Sequence, residues 1–217
     1  MSILSLDHVK PQTQIRYRKI LDRFRFLRRL RNGIVCFSWA ARGRGAPFPP
    51  AIKQAILVDI AERHRLELLV ETGTYFGDTS AELARSFRLV YTIEAAKQLF
   101  DAVGLRFSNI PNVKRYYGDS GDVLSAVLPL LDGPALFWLD AHVQGYAISG
   151  ELNPILREVR AITSDARYNH VLAIDDMRLF GKNSDYPSFG ELREAVTGKC
   201  QMVTIADIAI VCLNDRG

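Results

Sequence analysis

The spacing of apolar and polar positions changes rhythm repeatedly along this chain. From Ile52 onward, short runs of neighbouring apolar residues alternate with stretches in which apolar residues recur every three or four positions. The first pattern belongs to strands and the second to helices. By this reading "LELLVE" (Leu66–Glu71), "RLVYTIE" (Arg88–Glu94), "VKRYYGD" (Val113–Asp119), "PALFWLD" (Pro134–Asp140) and "HVLAIDD" (His170–Asp176) are strands. The helices are "AIKQAILVDIAERH", "TSAELARSF", "AAKQLFDAVGLRF", "GDVLSAVLPLL", "ELNPILREVRAIT" and "SFGELREAVTG". Such alternation predicts βαβ units and a mainly parallel α/β sheet. "CQMVTIAD" and "IAIVCLN" close the chain as two strands with only a tight turn near Ala206–Asp207. A parallel connection needs a crossover, so these two are antiparallel. Trp138 lies inside a strand and is expected in the core.

Ahead of this body the rhythm is helical but the polar positions are basic. In "IRYRKILDRFRFLRRLRNG", Tyr17, Ile20, Leu21, Phe24, Leu27 and Leu30 recur at steps of three and four with arginines between them. Asn32–Gly33 is the expected stop, and "RGRGAPFPP" (Arg42–Pro50) the expected linker. Between Lys10 and Gly45 stand eleven basic residues and one acid, Asp22, whereas the rest of the chain holds 17 basic and 23 acidic residues. The net charge of +4 therefore hides a basic arm on a mildly acidic body. Such an arm can pack on the body or on a second copy of the chain, with arginine facing water. It can also lie as an amphipathic helix on an anionic membrane surface. Nucleic acid is the least favoured of these partners.

A length of 217 residues suits one sizeable core. The cysteines, Cys36, Cys200 and Cys212, are scattered without a CxxC pair, which argues against a disulfide framework or a zinc site and suits a reducing cytoplasm. "GIVCFSWAA" is too short to span a bilayer, and "MSILSLDHVK" lacks the pattern of a secretory signal. The expected location is cytoplasmic, with the arm able to reach the membrane periphery.

In open α/β sheets ligands bind beyond the carboxyl ends of the strands. Each of the first five predicted strands ends there in a carboxylate: Glu71, Glu94, Asp119, Asp140 and Asp175–Asp176. Like charges in one cleft raise one another's pKa unless a cation or donors compensate, so hydroxyls, an amine or a metal are expected at this rim. Gly73 and Gly77 of "ETGTYFG" can take positive φ and let a ligand approach the main chain. The GxGxxG of a nicotinamide-binding fold is missing. Glu94 is placed to accept both hydroxyls of a ribose, and Asp119 either faces a base or caps the next helix.

In order and spacing, "LLVETGTYFGDTS", "YTIE", "YGDS", "LFWLDAH" and "HVLAIDD" resemble the class I S-adenosylmethionine-dependent methyltransferases. They look most like the metal-dependent O-methyltransferases of the catechol and macrolide-sugar type. The resemblance runs from about Ile52 to the C-terminus, so residues 1–45 form the added arm and 46–217 the methyltransferase domain. It implies a Rossmann-like seven-stranded sheet of order 3-2-1-4-5-7-6 with helices on both faces. It also implies a cofactor seat over strands one to three, with Glu71, Gly73, Thr74, Tyr75, Gly77 and Thr79 on the methionine side. Glu94 would hold the ribose, Gly118, Asp119 and Ser120 would lie at the adenine, and Asp140 would stand at the reacting end.

Strands four and five are neighbours in that order, about 4.8 Å apart, so Asp140, Asp175 and Asp176 can converge on a hard divalent cation, Mg²⁺ by default. Such an ion would suit a diol-like hydroxyl acceptor on a small molecule or glycan. Catechol-type enzymes carry a lysine three positions after the first of these aspartates; here that position is Val143. His142 is the expected substitute as general base, with Asp140 or water as the other routes for the proton. Arg178, Tyr186 and "VQGYAISG" are candidate acceptor contacts. The alternative function is an inactive nucleotide-binding scaffold of the same fold.

Overall fold

A computed structural model describes residues 10–23, 25–140, 153–196 and 200–213. Among these the order is α1 (Pro11–Arg23), α2 (Arg25–Ala41), α3 (Pro50–His64), β1 (Leu68–Thr72), α4 (Asp78–Leu83), β2 (Leu89–Glu94), α5 (Lys97–Phe107), β3 (Val113–Tyr117), α6 (Ser120–Val127), β4 (Ala135–Leu139), α7 (Ile155–Ser164), β5 (Val171–Ile174), α8 (Phe189–Ala195), β6 (Cys200–Ile205) and β7 (Ile208–Leu213). The strands form one sheet of order β3-β2-β1-β4-β5-β7-β6. β1 to β5 are mutually parallel, while β7 runs antiparallel to both β5 and β6. The tight β6–β7 turn is made by Ala206 and Asp207, both at positive φ, as type I′ hairpin geometry requires.

Successive strand residues point to opposite faces, and each face meets its own layer of helices. Leu68, Val70, Phe137, Leu139, Leu172, Ile174 and Val211 pack with Leu124 of α6, Val159 and Ile162 of α7 and Leu192 of α8. Leu69, Val90, Leu136, Trp138, Ala173 and Ile210 pack with Leu57 of α3, Ala81 of α4 and Val103 and Phe107 of α5. Burial on both faces is why the central strands read as unbroken apolar runs. The edge strand β6 has one neighbour and leaves Val203 and Ile205 exposed.

The arm departs from expectation at its end. The helix does not stop at Asn32–Gly33 but continues to Ala41. A mid-helix glycine costs about 1 kcal/mol, which does not outweigh a ladder carried on by Ile34, Val35, Phe37 and Trp39. α1 is docked on the body: Ile15 is fully buried in the same cluster as Leu57 and Phe107. Lys19 Nζ donates to Leu105 O at 3.0 Å. Arg18 Nε donates to Asp78 Oδ2 at 3.0 Å while its guanidinium lies 4.3 Å from the centre of the Phe76 ring.

Candidate functional site

The loop after β1 is built to turn sharply and stay rigid. Gly73 and Gly77 have φ of 84° and 72°, and Tyr75 between them is also left-handed at 50°. Gly73 and Thr74 donate their N–H groups to Ile93 O at 3.0 and 3.1 Å, which ties the loop to β2. Glu94 completes the tie, accepting from Tyr75 N at 2.7 Å and from Ala96 N at 2.8 Å. Gly77 is needed for a second reason: a Cβ there would lie 2.4 Å from Phe107 Cζ.

Glu71 is 1% exposed. Thr92 donates to its Oε2 at 2.7 Å and Ser80 binds the same oxygen. Burial pushes its pKa up to about 8 against these two hydrogen bonds, with the charges of Asp140 and Glu94 adding to the rise. Burial likewise raises Glu94, opposed by the N–H groups of Ala96 and Tyr75.

A cavity of about 350 Å³ opens at the carboxyl ends of β1, β4 and β5. Glu71, Gly73, Thr74, Tyr75 and Thr79 line it together with Asp140 and Asp175, over a floor that includes Trp138. Its far wall comes from outside the sheet, with Lys53 and Leu57 of α3 and Arg18 and Arg31 of the arm. Lys53, which the periodicity reading passed over, is the residue that changes the chemistry of the site. Its ammonium pairs with Asp175 Oδ2 and lies 3.8 Å from Asp176 Oδ1. Asp175 is pushed up to about 7, first by burial and then by the charge of Asp140, with Lys53 pulling the other way.

Other expected residues stand at the ends of β2 and β3. Glu94, Gly118, Asp119 and Ser120 stand outside the lining of this cavity. Asp119 takes the capping role: its Oδ1 accepts from Gly121 N and from Arg157 Nη2, each at 2.9 Å. Ser120 is buried and turned toward Glu158 of α7, a completely buried carboxylate raised by that burial to about 7. The Ser120 and Thr72 hydroxyls are close enough to pull this value down. Neither the Glu158 oxygens nor the Thr72 hydroxyl makes a well-formed hydrogen bond among the described residues.

Asp176, at φ 60°, is outside the cavity lining, with its Oδ1 3.8 Å from the Lys53 ammonium. Arg178 binds both Asp176 and Asp207, and the Tyr186 hydroxyl lies 3.4 Å from Asp176 Oδ2. Arg178 and Tyr186, candidates for acceptor contact, brace this corner in the structure, and Tyr186 is buried in the core. His142, Val143 and "VQGYAISG" lie outside the described residues. Lys53 and the two arm arginines left no mark in local pattern, because Lys53 meets Asp175 across 122 positions of sequence.

No protein-family model matches the chain. Over 78 residues it is 37% identical to the protein-L-isoaspartate O-methyltransferases of Burkholderia pseudomallei and Burkholderia thailandensis. That match takes in 35% of this chain and only 24% of the length of those relatives. Three solved structures share the architecture. The O-methyltransferase TomG of Streptomyces achromogenes, involved in tomaymycin synthesis and in complex with SAM, aligns with a TM-score of 0.51 at 20% identity, over 77% of this chain and 81% of that one. The Bacillus cereus O-methyltransferase in complex with SAH gives 0.56 at 15%, over 81% and 86%. The SAH-bound Podospora anserina methyltransferase PaMTH1 gives 0.53 at 15%, over 83% and 86%. With this sheet order and the antiparallel β7, the chain has the Rossmann-like fold of the class I methyltransferases.

Proposed function

We propose that the chain transfers a methyl group from S-adenosylmethionine to a hydroxyl oxygen of a small molecule or glycan. The observation that carries this reading is the single cavity that gathers Glu71, Gly73, Thr74, Tyr75 and Thr79 beside Asp140 and Asp175. Its volume falls within the range of small-molecule and cofactor sites, about 300–1,000 Å³. The donor set also fits the cofactor: positive φ at Gly73 bares the main chain, and acids at the rim answer an ammonium and a sulfonium. When bound, S-adenosylmethionine supplies an electrophilic methyl carbon on a positively charged sulfur.

The chain's own residues do the rest. Glu71, held by Ser80 and Thr92, orients the loop end. Glu94 fixes Tyr75 and Ala96 through its two oxygens and is the proposed ribose partner at the β2 rim. Asp140, on the cavity wall, and His142, two positions further along, are the proposed proton acceptors for the methyl-accepting hydroxyl. Much of the acceleration would come from alignment of the acceptor oxygen with the methyl carbon.

The expected three-aspartate magnesium site does not fit the arrangement. The expected trio is Asp140, Asp175 and Asp176, whereas the oxygens that lie within 4.8 Å of one another are those of Asp175, Asp176 and Asp207. Lys53 already neutralises Asp175, however, and Arg178 is inserted between Asp176 and Asp207, so no step is assigned to a divalent ion.

Calorimetric titration with S-adenosylhomocysteine tests the proposal. Saturable binding of one equivalent, weakened tenfold or more by Glu94→Ala, is expected. Absence of binding to the intact chain, or competition by NADH, rejects it.

The arm carries a second expectation. On α2, Phe26, Leu30, Ile34 and Phe37 share one exposed face, and Arg29, Arg42 and Arg44 are exposed along the same segment. That pairing of apolar stripe and positive charge supports the reading of an anionic membrane surface as a partner. No helix among the described residues is long and apolar enough to cross a membrane.

A further inference from the structure

The disagreement between expected metal and observed pairing has its own meaning. Two carboxylates at the ends of adjacent strands, half-buried Asp140 and buried Asp175, repel each other, and a cation beside them relieves that repulsion. The chain contains one. Lys53 sits one turn into α3, a helix held by the fully buried Leu57 and by Ile60 and Ala61. Its side chain is 13% exposed, its ammonium is paired with Asp175, and it faces the same cavity as Asp140. We propose that the Lys53 ammonium is the resident cation of the acceptor site, in the place where a divalent ion was expected.

The proposal rests on the methyltransferase reading and narrows its substrate class. A divalent ion such as Mg²⁺ can hold two acceptor oxygens at once, and so favours a vicinal diol. An ammonium is a point charge with up to three N–H donors. One is engaged by Asp175, and a hydrogen bond from the group to a single acceptor oxygen stabilises that oxygen as it loses its proton. The acceptor therefore needs one hydroxyl and no chelating partner. α3 precedes the first strand, so the charge is delivered by the element that joins the arm to the sheet, and not by the loop after β4.

Titration of the intact chain with Mn²⁺, followed by its paramagnetic resonance signal, tests this. The intact chain and Lys53→Arg are expected to show no saturable site. Lys53→Gln, shown folded by circular dichroism, is expected to gain one, because Asp175 loses its counter-charge beside Asp140; the gain should vanish in Lys53→Gln/Asp175→Asn. In the presence of S-adenosylhomocysteine, binding of catechol as a probe diol should not tighten when MgCl₂ is added. A stoichiometric Mn²⁺ site in the intact chain that Asp175→Asn removes overturns the proposal, as does a folded Lys53→Gln that takes up no ion. Should Lys53→Gln fail to fold, the intact-chain titration alone decides. Failure of the methyltransferase reading shows separately, as loss of S-adenosylhomocysteine binding in the same samples.

Discussion

Glu71 shows how one side chain couples the site to pH. Its folded-state pKa of about 8 lies above the ordinary 4.5, so the stability it contributes is complete below about 4.5 and is lost as pH rises toward and through 8. Glu71→Gln, which keeps the partners Ser80 and Thr92 but cannot ionise, should therefore gain in relative melting temperature across that window. Thermal scans of both proteins from pH 5 to pH 9 are expected to show a difference that widens with pH; a constant offset would deny the burial effect. Glu158, raised to about 7, acts with the same sign. His170, lowered by burial against Asp165, acts with the opposite sign at the acid end, which is why the comparison is made against the variant. Gly77→Ala tests the loop itself. It forces a Cβ into Phe107 at a positive φ, and should cost about 2 kcal/mol or more in urea unfolding.

Between elements, the decisive contact is the one that fastens α1 to the sheet. Asp78, first residue of α4, is buried enough to be raised, yet the charges of Arg106 and Arg18 outweigh that and hold it below the ordinary range. Arg106, with a side chain 2% exposed, also donates to Phe76 O at 2.7 Å. Asp78→Ala leaves that guanidinium short of a counter-charge. The expected loss is about 2–3 kcal/mol, less than for a fully buried pair because water reaches Asp78. Hydrogen exchange should localise the loosening to α1 and the C-terminal part of α5, where Arg106 stands. The elements of the body were legible because strands at the centre of a two-faced sheet must be apolar throughout and helices on its faces must repeat at 3.6. The rim acids were legible for the same reason, since a strand's carboxyl end follows from its register. The Asn32–Gly33 continuation was not, because propensity is a weak term there. Lys53, Arg18 and Arg31 were not either: a cavity wall supplied from a distant element has no local signature.

At the scale of the molecule, charge and shape are distributed in one direction. The basic arm of α1 and α2 supplies one wall of the cavity through Arg18 and Arg31, while Glu71, Asp140 and Asp175 stand at the strand ends opposite. If α2 meets an anionic surface, the cavity mouth is brought close to it, since Arg31 belongs to both. Co-sedimentation with vesicles containing phosphatidylserine should retain the intact chain at low salt and release it as salt screens the arginines. Phe26→Ser/Phe37→Ser should abolish retention without altering S-adenosylhomocysteine affinity. Vesicles of neutral lipid serve as the control, and equal retention on both would remove the electrostatic part of the argument.

The docking of α1 also sets an order of events during synthesis. Lys19 and the Leu105 carbonyl that receives it are 86 residues apart. At a translation rate of about 5–20 residues per second, the first helix leaves the ribosome roughly 4–17 s before its seat has been made. For that interval Ile15 and its apolar neighbours are bare on a strongly cationic nascent segment. Anything that covers it in that interval has to let go before α5 can take its place.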